Sequence, residues 1–219
     1  MALSDRAITG LPSHAATEAP DRGDAPAYYD RDAAAFAARY DAVTFGAVHP
    51  LLTRYLPESG RVLDVGAGSG RDARAMASRG LAVTAVEPSA GLRAIASARS
   101  PDICWIDDRL PKLASLRDTA GKFDFVLCSA VLMLIAPKDL ACSFATMARL
   151  LTGSGRLGLN LRARAAGEPG NLFFDHTDDV VLATACAAGL IPIDRGEAGD
   201  AIGRPAYRWR SFVFAYESK

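Results

Sequence analysis

The sequence predicts a doubly wound α/β fold: one seven-stranded sheet, mostly parallel, with helices on both faces and an antiparallel strand near the C-terminus. Three observations predict it. From residue 61 onward, short apolar runs alternate with segments of helical periodicity. A glycine-rich turn follows the first of those runs. The last two strand-like segments, 190–198 and 207–217, are joined by a loop too short for a crossover helix, so they must pair antiparallel.

The elements follow in order. RVLDVGAG (61–68) is a strand running into the glycine turn, and the helix behind it turns Ala73, Met76 and Ala77 inward before stopping at Gly80. LAVTAVE (81–87) is the second strand, ended by Pro88, with Ser89 as N-cap of a helix reaching about Arg99. ICWID (103–107), FDFVLCSAV (123–131) and GRLGLNLR (155–162) are the next three, with a helix from Pro137 to Leu151 between the last two. Thr177 caps a helix through Ala188, closed by Gly189. Ahead of the sheet, Phe36, Tyr40, Val43 and Phe45 recur at helical spacing, and His49-Pro50 opens a second helical piece ending near Pro57. Residues 1–26 show neither periodicity and are expected to form a mobile tail. The expected organisation is therefore a tail, 1–26, and one domain, 27–219, in which 27–57 is a helical lid and 58–219 the sheet core.

Composition narrows the function. The chain has 219 residues with 25 basic and 25 acidic side chains, half of them hydrophobic, a size that suits one core. Balanced charge and the lack of a basic cluster speak against nucleic acid or an anionic membrane as partner. Only four of the basic residues are lysines (Lys112, Lys122, Lys138, Lys219), so a lone arginine is weak evidence of a site. The cysteines at 104, 128, 142 and 186 form no C-x-x-C pair, which suits small core hydrophobes in a reducing cytoplasm. The first ten residues lack an apolar signal region, and Phe123–Ala136 is too short to span a bilayer.

The most informative stretch is LDVGAGSGRDA (63–73). Gly66, Gly68 and Gly70 lie between strand and helix, where glycine lets backbone N–H groups approach a ligand. The dinucleotide fingerprint needs a glycine at 71, where Arg71 stands, so the spacing argues against NAD and for another nucleoside. This D-x-G-x-G-x-G run, Glu87 at the end of the second strand and the terminal antiparallel pair together resemble the class I S-adenosylmethionine-dependent methyltransferases, over residues 35–217. The resemblance implies a Rossmann-like sheet and S-adenosyl-L-methionine as cofactor, with S-adenosyl-L-homocysteine as product. It implies that Asp64 fixes the turn and attracts the methionine ammonium, that Gly66, Ala67, Gly68 and Gly70 line the cofactor, and that Glu87, followed by Pro88, accepts from the ribose hydroxyls. Asp107 or Asp108 would accept from the adenine amino group, with Asp108 preferred, and Ser129 and Ala130 would border the methionine part.

Methyl transfer is an in-line displacement that needs positioning and exclusion of water, with no metal or nucleophilic triad. Tyr28 and Tyr29 are expected to fold over the cofactor, Tyr29 also being a candidate base with His49 and His176; each histidine is at least as well explained as a structural residue. Met133, Arg162, Arg204 and Trp209 are the acceptor-side candidates, and no metal site is expected. Cys128-Ser129-Ala130-Val131 departs from the N-P-P-Y type run of enzymes that methylate bases or amides, which favours a small-molecule acceptor. Two other readings stand beside this one: a non-catalytic S-adenosylmethionine sensor or subunit, and an NAD-dependent oxidoreductase.

Overall fold

A computed structural model describes residues 24–119 and 123–217. The helices are α1 (Ala25–Asp30), α2 (Ala33–Asp41), α3 (Phe45–Val48), α4 (Arg71–Ala77), α5 (Ala90–Arg99), α6 (Pro137–Leu150) and α7 (Asp178–Ala187). The strands are β1 (Arg61–Val65), β2 (Ala82–Val86), β3 (Cys104–Ile106), β4 (Phe123–Ser129), β5 (Leu151–Arg162), β6 (Leu190–Gly199) and β7 (Arg208–Tyr216). They form one seven-stranded sheet in the order β3-β2-β1-β4-β5-β7-β6. The first five strands are parallel, and β7 runs antiparallel between β5 and β6. The chain reverses its direction of winding between β1 and β4, so the carboxyl ends of these strands open a crevice where a ligand can sit.

Alternation along the strands sends side chains to two cores. Leu63, Val65, Val126 and Leu159 join Phe144, Met147, Phe212 and Phe214 on the side covered by α6 and α7. Val62, Ala85, Phe125 and Leu127 meet Phe45, Leu52, Ala73 and Met76 on the other. Both layers are fully buried, as the near-continuous apolar runs of a parallel sheet require. Ser89 and Thr177 cap α5 and α7 through their side chains, as expected.

Several boundaries differ from expectation. A helix begins at Ala25, inside the expected tail, because Pro26 suits a first helical turn and Tyr28 finds Phe173 to pack against. The rest of that tail, residues 1–23, lies outside the described residues. The piece after His49-Pro50 is only a 3-10 turn, Leu52–Tyr55. β1 stops at Val65, and β4 stops at Ser129 because Ala130 takes a left-handed φ of 58°. A non-glycine residue pays backbone strain there, about 1–2 kcal/mol, which marks the turn beyond β4 as a constrained position.

Candidate cofactor site

The crevice is a cavity of about 740 Å³, large within the usual range for small-molecule pockets. Its floor is the β1 turn and its roof includes Tyr28, Tyr29, Phe36 and Tyr40 from α1 and α2. Gly66, Gly68 and Gly70 all have positive φ, so the turn requires glycine. Their tasks differ. A Cβ on Gly66 would meet Val131 Cγ2 at 2.4 Å. One on Gly68 would face the cavity, with Tyr40 at 3.8 Å as its nearest neighbour. One on Gly70 would strike Trp105 at 2.8 Å and Ala96 at 3.1 Å. Gly70 is therefore a packing glycine outside the cavity lining, a correction to its expected ligand role.

The turn's N–H groups are also spent internally, contrary to expectation. Gly66 and Ala67 both donate to the Val86 carbonyl, and Gly68 donates to Glu87 Oε2 at 2.7 Å. What Gly68 supplies is open space over a fixed floor, while Gly66 and Gly70 make room for Val131 and Trp105.

Glu87 is 5 % exposed, and its other oxygen, Oε1, accepts from the Ser89 N–H at 2.7 Å. Each oxygen thus keeps capacity for one more donor. Burial pushes its carboxyl up to about 7, against the pull of those two N–H groups and Arg93. Asp64, 2 % exposed, accepts from the Ala73 N–H, while its Oδ2 is buried without a partner. Burial, then the neighbouring Asp72 carboxylate, hold Asp64 well above the ordinary carboxylate range. Asp72 is itself buried, yet His49 and Arg71 hold it far below that range.

The two carboxylates after β3 part company. Asp108 lines the cavity, its oxygens accepting from the Arg109 and Ser115 N–H groups at 2.7 Å each. Asp107 points away to an ion pair with Arg93 and lies outside the main cavity, correcting its candidacy. Ala67, Pro88, Ser129, Ala130, Tyr28, Tyr29, Met133, Arg162, Arg204 and Trp209 all line the cavity.

Both histidines are corrected as candidate bases. His49 is fully buried, donating from Nε2 to Asp72 at 2.9 Å and receiving Asn160 Nδ2 at 3.4 Å on Nδ1. His176 donates from Nε2 to the Leu132 and Ile135 carbonyls, 3.0 Å from each. Neither lines the cavity: His49 ties α4 to β5, and His176 holds the turn after β4. Arg71 is likewise committed, to Asp72 and the Tyr40 carbonyl.

A further device was invisible in the sequence. Three carboxylates of the N-terminal segment each bind a different loop at the carboxyl end of the sheet. Asp41 accepts from Ser69, after β1, and from Arg74, both at 2.8 Å, and pairs with Arg99. Asp30 accepts from Ser89 Oγ at 2.5 Å and the Gly91 N–H at 2.8 Å, after β2. Asp24 pairs with Arg109, after β3, at 3.0 Å. Short polar side chains 6 and 11 residues apart carry no motif, so only the fold brings them to one rim.

Comparison with known proteins follows this geometry. Residues 62–155 match the family model described as a methyltransferase domain. That match spans less than half of the chain, from β1 into β5, and makes this stretch similar to a methyltransferase domain. No curated protein matches the sequence. Among solved structures, a TehB-like S-adenosylmethionine-dependent methyltransferase from Corynebacterium glutamicum superposes with a TM-score of 0.66 at 18% identity, covering 88% of this chain and 100% of the other. The 1,6-didemethyltoxoflavin-N1-methyltransferase of Burkholderia thailandensis, solved with 1,6-didemethyltoxoflavin and S-adenosylhomocysteine, gives 0.65 at 20% identity, covering 92% and 94%. The glycopeptide N-methyltransferase MtfA, complexed with S-adenosylmethionine, gives 0.62 at 17% identity, covering 80% and 95%.

The residues of the crevice fit the S-adenosyl cofactor carried by those neighbours. An unpartnered buried carboxylate oxygen on Asp64 suits an ammonium, two half-used oxygens on Glu87 suit a diol, and the open side of Gly68 leaves room between them. Among the described residues no group of His, Cys, Asp and Glu is placed to hold a metal ion, and no helix is long and apolar enough to cross a membrane.

Proposed function

We propose that this chain binds S-adenosylmethionine in the crevice and catalyses transfer of its methyl group to a small-molecule acceptor. The observation that carries the reading is the pair of buried, incompletely satisfied carboxylates, Asp64 and Glu87, facing one cavity across the glycine turn. Glu87 takes the ribose hydroxyls, Asp64 the methionine ammonium, and Asp108 borders the adenine. Ser129 and Ala130 flank the methionine chain, and Tyr29 covers it from α1.

Held by Asp64, Glu87 and Asp108, the cofactor would supply an electrophilic methyl on a sulfonium, to be taken by an acceptor lone pair as the carbon–sulfur pair returns to sulfur. The protein's part is to align and to dry the site. The Tyr28, Tyr29, Phe36 and Tyr40 rings form an aromatic roof that excludes water, and their faces favour the positive sulfonium. Tyr29 is held as the neutral phenol by burial and by its neighbour Tyr40, so it orients rather than removes a proton. The lid role of residues 27–57 belongs to this proposal, with the Asp24, Asp30 and Asp41 bonds as its fastenings.

The test is incubation with methyl-labelled S-adenosylmethionine and a panel of small phenols, amines and thiols, with label transfer measured by mass spectrometry. Transfer that is lost in Asp64→Asn and Glu87→Gln supports the reading. Cofactor binding without transfer to any acceptor favours the sensor reading instead.

A further inference from the structure

Away from the glycine turn, the cavity ends in a wall of alternating charge. Arg162, only 4 % exposed, gives Nη1 and Nη2 to Glu168 at 2.8 and 2.5 Å. Its guanidinium lies 4.1 Å from the Tyr207 ring centre, and so does that of Arg204. Arg204 in turn donates to both oxygens of Asp200, at 2.9 and 2.7 Å. The Arg204 backbone N–H at 3.0 Å and Trp209 Nε1 at 2.8 Å bring the bonds to Asp200 to four. The result is a ladder, Glu168–Arg162–Tyr207–Arg204–Asp200, every rung of which lines the cavity.

Each guanidinium on this wall is matched by a carboxylate, so the wall offers planar faces and no net charge. Both Glu168 and Asp200 sit below the ordinary carboxylate range: burial raises them, and the arginine bonds more than reverse it. The ion pairs therefore persist across neutral pH. Next to the ladder, Met133, Leu172 and Phe173 pack with Tyr28, Ala130 and Trp209 as an apolar cluster beneath the strained end of β4. Arg39 and Asp139 border the cavity from α2 and α6, outside this wall.

We propose that this wall is the acceptor subsite and that it selects an uncharged, flat aromatic acceptor. The proposal rests on the methyl-transfer reading above. An anionic acceptor would lie against Glu168 and Asp200, with Arg162 Nε the one buried guanidinium donor left unpartnered, enough for a neutral acceptor atom and too little to balance a full charge. A cationic one would shed its water with no free carboxylate to receive it. A neutral ring loses little on desolvation and gains the apolar faces of Trp209 and Phe173, while Tyr207, stacked with both guanidiniums, holds the wall in place. Selection thus comes from what the wall withholds as much as from what it offers.

The experiment holds the ring constant and changes only its charge. 2-Naphthol, 2-naphthoate and 2-naphthylmethylammonium are titrated calorimetrically into the protein at pH 7.5, with and without saturating S-adenosylhomocysteine. 2-Naphthol is expected to bind at least about tenfold tighter than either charged analogue, a difference of about 1.4 kcal/mol. Tyr207→Leu should weaken naphthol at least fivefold with S-adenosylhomocysteine affinity unchanged, while Tyr207→Phe keeps naphthol binding. Arg204→Gln, which frees Asp200, should narrow the disadvantage of the ammonium analogue. Equal or tighter binding of a charged analogue, or no naphthol binding by protein that takes up S-adenosylhomocysteine, overturns the subsite. Selective naphthol binding without any uptake of S-adenosylhomocysteine would instead overturn the methyl-transfer reading and leave the aromatic wall standing.

Discussion

Glu87 couples cofactor binding to pH, and the size of the effect follows from its surroundings. Its carboxyl is raised by burial to about 7, with Asp30 raising it further and the Ser89 and Gly68 N–H groups and Arg93 opposing. Ribose hydroxyls donate hydrogen bonds, so the bound state wants the carboxylate. With half-titration near pH 7, about a tenth of the free protein is competent at pH 6 and about nine-tenths at pH 8. Affinity for S-adenosylhomocysteine should therefore rise roughly tenfold between those values, with release of about half a proton at pH 7. Asp64, also raised, acts in the same direction, so Glu87→Gln isolates this group: weaker binding and a flatter profile. The free protein shows the opposite trend. A carboxyl raised from its ordinary value near 4.5 binds more protons folded than unfolded, so stability falls as pH climbs through the window from about 4.5 to 7. At this burial the group's share is on the order of 3 kcal/mol. Calorimetry at pH 6, 7 and 8 in buffers of different ionisation enthalpy reads both affinity and proton count. An affinity that does not change over that range, with no proton released, would refute the placement of Glu87 against the ribose.

The remaining predictions separate roles that the sequence merged. Gly68→Val should weaken S-adenosylhomocysteine binding at least about tenfold in a protein that still folds, since its side chain enters the cavity; Gly70→Ala should instead cost about 1–3 kcal/mol of stability through overpacking against Trp105 and Ala96, and so lower the melting temperature. Thermal melts beside calorimetry tell the two apart. Asp30→Ala, which removes two bonds to the loop after β2, should raise amide exchange across residues 25–41 and speed release of bound S-adenosylhomocysteine. Unchanged exchange would show that the segment is held by packing alone. His176→Gln should destabilise the protein while leaving the pH dependence of methyl transfer in place, because its ring bonds only the Leu132 and Ile135 carbonyls.

The strand–helix alternation made the sheet legible, and the short connection after residue 198 made its antiparallel end legible too, since both are local signals. The position of Glu87 and Asp64 near strand ends at the cavity was legible because each precedes a turn in the sequence. The glycines were read as one motif, yet Gly70 serves packing, because the Trp105 ring that it makes room for comes from another strand. His49 and His176 looked like bases only as long as their burial partners, Asp72 and two carbonyls, were unknown. The loop fastenings of Asp24, Asp30 and Asp41 and the ladder through Tyr207 join residues up to 85 positions apart. No local pattern encodes them; they follow from which loops the sheet order brings to one rim.

The central claim is that the crevice is built for an adenosyl sulfonium cofactor. Parallel calorimetric titrations with S-adenosylmethionine, S-adenosylhomocysteine and NADH test it most directly. The account predicts tight, one-to-one binding of both adenosyl compounds, weakened in Asp64→Asn and Glu87→Gln, and none of NADH. Binding of NADH alone, or of none of the three by the folded protein, would contradict it.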